Sequence, residues 1–382
     1  MINILLLSTT FIHSPIKMNP SNYYIKHNTF INNAPFIRQN SPIYMKNKLQ
    51  YIPCDNTLSE ECLAICNTDS CNIVMKKSRL ENIKLIVYVL SWFVLSAKYN
   101  IYNKLRLNML NLPWIQSSLS LGSGALIPLF LWKTGIRPTP ILTKRTIKNY
   151  IPLSFFHSMS HIAAVISVST GAVSFTQIVK AAEPVFTCGF NWIFLGNSIS
   201  LPMFLSLIPI VFGVSFASIS ELSFSWGSFN GAMISNAACA ARNVCSRRIM
   251  DIKDNVNISP QDLLGILTIM SFLISMPLTI IFEGNKIPMV LALDKGVLIN
   301  VLKTSFETGF YFYLYNEAAM VVLKNVNPVS HAIMNTLKRI FILLSCVIFF
   351  NNPITKNGAI GSSIAIIGSY LYSKTKTKQI KK

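Results

Sequence analysis

Phe175-Thr-Gln-Ile-Val-Lys180-Ala-Ala-Glu183-Pro-Val-Phe186 and Ile333-Met-Asn-Thr-Leu-Lys338-Arg339-Ile-Phe-Ile-Leu-Leu344 set cations within apolar stretches long enough to cross a bilayer. Residues 235–245, SNAACAARNVC, do the same with Arg242. A cation at membrane depth costs about 2.5–3.5 kcal/mol on insertion scales, so these four cost on the order of 10–14 kcal/mol. Such a cost is sustained when the charges line a wet cavity and meet something anionic. The pattern predicts a membrane-embedded cavity for small, multiply charged anions.

Composition agrees. Of 382 residues, 51% are hydrophobic and 13% charged, with a mean hydropathy of +0.46. That charged fraction is about half the soluble average of roughly 25%, which marks a polytopic membrane protein. The net charge of +20 is spread over loops and tails, with no basic stripe interleaved with aromatics, which argues against nucleic-acid binding. No nucleophile–base pair, Gly-rich phosphate loop or metal cluster stands out, so no enzyme, metal or cofactor is expected. Cys54, Cys62, Cys66 and Cys71 lack the paired spacing of a zinc module. Cys188, Cys239, Cys245 and Cys346 lie in apolar spans and read as small packing residues.

Residues 1–82 differ from the rest. Ile4–Ile12 is too short to span and suits a signal core, and His13–Tyr51 is basic without an acidic residue. This stretch reads as a mostly disordered, two-part leader, with a cytosolic tail as the plain alternative. Residues 83–375 form the transporter domain and 376–382 a basic tail. Ten apolar segments lie near 83–102, 113–132, 149–169, 172–195, 200–217, 226–246, 262–282, 299–322, 328–350 and 357–373. Basic clusters precede the first (Lys76, Lys77, Arg79) and follow the second (Lys133, Arg137, Lys144, Arg145, Lys148). Others follow the sixth (Arg247, Arg248) and the last (Lys374 to Lys382). Opposite loops are balanced, as in Glu283, Lys286, Asp294 and Lys295. Ten crossings put every basic cluster on one face.

An internal repeat is visible. Phe194-Leu-Gly-Asn197-Ser-Ile-Ser200 matches Phe349-Phe-Asn-Asn352-Pro-Ile-Thr355 at an offset of 155, which also maps Gly213 onto Gly368. Five helices duplicated to ten are inverted, because five is odd. The expected fold class is therefore an all-α integral membrane protein with ten transmembrane helices as two inverted five-helix repeats, near 83–218 and 226–373. A substrate site then lies near the midplane between the halves.

The same offset sets Glu183-Pro184 against Lys338-Arg339. A structural Lys180–Glu183 pair at i, i+3 is the bland alternative. Adjacent Lys338 and Arg339 diverge by about 100° around a helix, and Arg suits bidentate phosphate contact where Lys offers a point charge. Small residues from Ala237 to Ala241 leave room for a ligand beside Arg242. His157 and His161 share a helix face but lack further ligands, so cavity lining is favoured over a metal. Tyr311, Tyr313 and Tyr315 form an aromatic stripe in which one hydroxyl is expected to reach the site.

These residues resemble the plastidic phosphate translocator family of the drug/metabolite transporter superfamily, over roughly 83–375. The motifs are Tyr99-Asn-Ile-Tyr-Asn-Lys104, Ala172-Val-Ser-Phe-Thr-Gln-Ile-Val-Lys180 with Glu183-Pro184, Leu314-Tyr315-Asn316, and Asn327-Pro-Val-Ser-His331 leading to Leu337-Lys-Arg339. The resemblance implies that Lys180, Lys338 and Arg339 hold a substrate phosphate. It implies that His161, Tyr315, Arg242 and Lys104 serve the rest of the cavity or its gating. It further implies one-for-one exchange of inorganic phosphate for triose phosphate, 3-phosphoglycerate or phosphoenolpyruvate, with a lipid bilayer as the other partner. Ala164 stands where triose-phosphate members usually carry Ser or Thr, and Cys239 where an aromatic is usual. Arg242-Asn243 is closer to phosphoenolpyruvate carriers, so a broad three-carbon range is expected. With the leader, the chain resembles an apicomplexan plastid (apicoplast) member. A nucleotide-sugar transporter of the same superfamily is the alternative.

Overall fold

Pro113, Pro184 and Pro260 each stand in the first turn of a helix, where a missing amide hydrogen removes no intrahelical bond. Thr143 and Ser259 close helix starts by accepting the backbone amides of Thr146 and Asp262 at 3.2 and 3.1 Å. These signals divide the chain. The computed structural model describes residues 50–51, 62–67, 70–75, 79–196, 199–219, 221, 224–250, 258–326, 328–351 and 355–380. The apolar run 4–12, residues 13–49 of the basic tract and Cys54 lie outside them.

By its contacts the chain divides into Met1–Ile86 and Val87–Lys382. In the first unit, β1 (Gln50–Tyr51), β2 (Cys62–Asn67) and β3 (Ser70–Met75) form an antiparallel sheet in the order β1-β2-β3. Two residues separate β2 from β3, the spacing of a tight hairpin. This sheet falls in the stretch that sequence reading leaves without secondary structure.

The helices are α1 (Arg79–Met109), α2 (Pro113–Lys133), α3 (Lys144–Thr170), α4 (Val173–Lys180), α5 (Glu183–Leu195) and α6 (Leu201–Ile219). They continue with α7 (Trp226–Met250), α8 (Pro260–Glu283), α9 (Ile287–Leu291), α10 (Lys295–Asn325), α11 (Pro328–Phe350) and α12 (Lys356–Ile380). Among the described residues, six helices are long and apolar enough to cross a membrane. The fourth apolar segment is broken. The ring of Pro184 would clash with the carbonyl of Lys180, four residues back, so α4 stops there and α5 starts afresh.

Two helix pairs run antiparallel. Glu283, ending α8, accepts the Ile115 amide near the start of α2 at 2.9 Å. At the other end, Trp132 of α2 donates to Asp262 of α8 at 3.1 Å. Glu283 is thus buried and serves as a counter-charge to a helix start, where the backbone dipole favours an anion. That corrects its reading as a loop charge. On α6 and α12 close approach depends on glycine: a Cβ on Gly213 would lie 2.5 Å from the Ala365 nitrogen and 2.6 Å from the Gly361 oxygen. Gly368 meets Ile210, further back along α6, so the two helices oppose in direction. The other face of α6 exposes Leu205, Ile208 and Phe212, large apolar groups of the kind that meet lipid tails.

Gly213→Val forces backbone apart and is expected to destabilise by about 1–3 kcal/mol. Thermal unfolding in detergent should show a lowered midpoint, while Gly189→Ala, which meets nothing within 4 Å, should not. Equal midpoints for the two variants would contradict this packing.

Candidate functional site

Six helical walls face one cavity of about 200 Å³. Ser96, Tyr99, Asn100 and Asn103 recur at three- and four-residue intervals, so α1 presents one polar stripe to it. From α3 come His157, Ser160, His161 and Ala164 at the same spacing. The break between α4 and α5 delivers Lys180 and Glu183, α7 delivers Cys239 and Arg242, α10 delivers Phe312, Tyr315 and Asn316, and α11 delivers Lys338 and Arg339.

The broken helix puts each charge on a favourable end. Lys180 closes α4, at the negative end of its backbone dipole, and Glu183 opens α5, at the positive end of its own. The Glu183 carboxylate does not turn back to Lys180. It pairs with the Arg339 guanidinium, 156 residues later, and also accepts from Cys239 Sγ at 3.2 Å. This contact joins the two segments that the sequence offset relates. Lys338 has a different seat: its ammonium lies 4.8 Å from the centroid of Trp92 and 5.8 Å from that of Tyr315. Such cation–π contacts contribute about 0.5–2 kcal/mol without neutralising the charge. Trp92 is held in turn by stacking on His331, with centroids 5.1 Å apart.

Arg242 donates to His157 Nδ1 at 3.1 Å and to Cys239 Sγ at 3.4 Å. His161 Nε2 lies 2.8 Å from Ser120 Oγ, and its ring packs edge-on against Phe312. Gln177 donates to Asn100 at 3.0 Å, tying α4 to α1. Lys180, Arg242, Lys338 and Arg339 against Glu183 leave the cavity three positive charges in excess. Such an arrangement can hold a compact polyanion.

Six of the seven residues singled out from sequence line this cavity. Lys104 does not: its ammonium bonds the carbonyls of Val168 and Gly171, both at 2.9 Å, tying α1 to the end of α3. Of the tyrosine stripe, Tyr315 faces the cavity and Tyr311 packs on Tyr102. Tyr313 is fully buried next to Arg137 and Glu317.

Neither Arg137 nor Glu317 is among the site residues that the sequence singles out. Arg137, read as part of a loop cluster, is buried and pairs with Glu317 of α10. Glu317 had one signal, an acidic residue inside an apolar segment; Arg137 had none, since Lys133 and Lys144 around it look alike. Trp92 was hidden in an apolar run.

Residues 83–373 match the model of the Triose-phosphate Transporter family. The chain belongs to this family of membrane transporters. It is 36% identical over 301 residues to the glucose-6-phosphate/phosphate translocator 2, chloroplastic, of Arabidopsis thaliana, covering 78% of this chain and 76% of that one. It is 34% identical to the phosphoenolpyruvate/phosphate translocator 1, chloroplastic, of Oryza sativa subsp. japonica, covering 75% and 70%. A triose phosphate/phosphate translocator, chloroplastic, of Flaveria trinervia is 36% identical, with coverage of 75% and 70%.

Breaking a buried ion pair by removing one partner costs about 3–5 kcal/mol. Arg137→Ala and Glu317→Ala should each lower unfolding stability by that order, and the double variant by far less than their sum. Additive losses in a double-mutant cycle would show that the pair is not coupled.

Proposed function

We propose that this chain is an antiporter that exchanges inorganic phosphate for phosphorylated three-carbon compounds across an apicoplast membrane by alternating access. The observation that carries the reading is the cavity itself, where Lys180, Lys338 and Arg339 from both sequence halves gather with Arg242 around one carboxylate. Ten crossings in two inverted repeats are part of the proposal. The antiparallel pairing of α2 with α8 and of α6 with α12 supports it, because these are the second and seventh, and fifth and tenth, apolar segments. Residues 1–82 are proposed as the leader, and relatives named chloroplastic support a plastid destination.

The geometry suggests how exchange is enforced. With no substrate, Glu183 holds Arg339 and aromatic faces hold Lys338, while the surplus charges repel in a medium of low dielectric. Closing the cavity to water then raises the energy. A phosphate dianion takes over as bidentate partner of Arg339 and meets both ammonium groups. Cutting the excess from three positive charges to one lets the halves rock to the opposite opening, so the empty carrier stays put and transport is one for one. His161, Tyr315 and Arg242 serve the remainder of the substrate, and Lys104 serves gating through its hold on the end of α3.

A cavity of about 200 Å³ suits three-carbon phosphates and is below the roughly 300–1,000 Å³ of pockets that take drug-sized ligands. A hexose-phosphate range is the second reading, favoured by the identity to a glucose-6-phosphate/phosphate translocator. Protein reconstituted in liposomes should take up labelled phosphate when loaded with phosphate, triose phosphate, 3-phosphoglycerate or phosphoenolpyruvate. Empty liposomes, or ones loaded with glucose 6-phosphate or a uridine-diphosphate sugar, should not support uptake. Replacing Lys180, Lys338 or Arg339 by Ala should cut exchange by about 10–100-fold, the loss of one charged hydrogen bond. Equal uptake into loaded and empty liposomes would contradict the mechanism.

A further inference from the structure

His157 is not explained by phosphate binding. It is 5% exposed and lines the cavity one helical turn before His161, about 6 Å along the axis of α3. Its Nδ1 lies 3.1 Å from Arg242 Nη1. A guanidinium has donors only, so Nδ1 is the acceptor and the ring carries its proton on Nε2. That Nε2–H is buried and has no hydrogen-bond partner among the described residues. A buried donor left unmatched costs on the order of 1–3 kcal/mol, and the ring's tilted contact with Phe312, centroids 6.1 Å apart, supplies no acceptor in the ring plane. Its neighbour His161, by contrast, has a partner in Ser120.

We infer that His157 is a specificity residue, whose Nε2–H donates to an oxygen at the non-phosphorylated end of the transported compound. The inference rests on the exchange proposed above and goes beyond it, dividing the cavity into two ends. Lys180, Lys338 and Arg339 take the phosphoryl group, which every substrate carries. His157 and the guanidinium that fixes its tautomer take a carbonyl or carboxylate oxygen, which inorganic phosphate lacks. A carboxylate suits this end best, because a neutral donor and a cation adjoin there.

Asn and Gln separate the two nitrogens of the ring. An Asn amide reaches as far as Nδ1 and can still accept from Arg242, whereas a Gln amide reaches the Nε2 position. Half-saturation constants for phosphate and for 3-phosphoglycerate should be measured in reconstituted liposomes for the wild type, His157→Asn and His157→Gln. The ratio of the 3-phosphoglycerate constant to the phosphate constant should rise at least about tenfold in His157→Asn and return most of the way in His157→Gln. Parallel changes in both constants, or failure of Gln to restore the ratio, would overturn the inference while leaving phosphate exchange intact. A wild type that exchanges no phosphate would overturn the exchange reading and this inference with it.

Discussion

Everything in the helical unit answers to an excess of buried positive charge. Three uncompensated charges around one small cavity would expel themselves from an apolar surrounding unless backbone and side chains were arranged to keep them. Pro184 breaks the fourth apolar segment at that depth, and the break supplies two helix ends. The negative end of the α4 dipole carries Lys180 and the positive end of the α5 dipole carries Glu183. Glu183 then reaches across to Arg339, so the charge least able to lose its proton is tied to the opposite half. Lys338 is stored on aromatic faces, which attract a cation without cancelling it. The cavity is thereby left with an excess of positive charge, the condition on which the proposed anion exchange rests.

The surrounding contacts divide into a frame and a lining. α10 shows both: Phe312, Tyr315 and Asn316 face the cavity, whereas Tyr313 and Glu317 face Arg137 on the other side. The buried pair fixes the rotation of α10 and so the position of Tyr315. Glu283 and Asp262 tie the two ends of α8 to α2. Glycine at the α6–α12 crossing lets two backbones touch where lipid offers no hydrophobic drive for association.

Much of this was legible in the chain. A cation inside an apolar run has few affordable explanations, which is why Lys180, Arg242, Lys338 and Arg339 could be picked out and why the structure brings them to one cavity. The repeat offset likewise sets Glu183-Pro184 against Lys338-Arg339, the two segments that the Glu183–Arg339 contact joins. What escaped was whatever looks ordinary in one dimension. Arg137 resembles its loop neighbours, Glu283 sits at a segment edge where charges are normal, and Trp92 reads as one more apolar residue. Lys104 was placed with the site by resemblance, yet its ammonium reaches main-chain carbonyls that only the packing of α1 on α3 puts within range. The strand pair at residues 62–75 lay in a region read by composition, a measure blind to a short hairpin.

The most direct measurement is the position of a heavy tetrahedral oxyanion in the protein. Crystals grown with tungstate should give one anomalous peak between the Lys180 and Lys338 ammonium groups and the Arg339 guanidinium, with Arg339 released from Glu183. A peak elsewhere, or a cavity whose Arg339 keeps its carboxylate partner with the anion bound, would contradict the account.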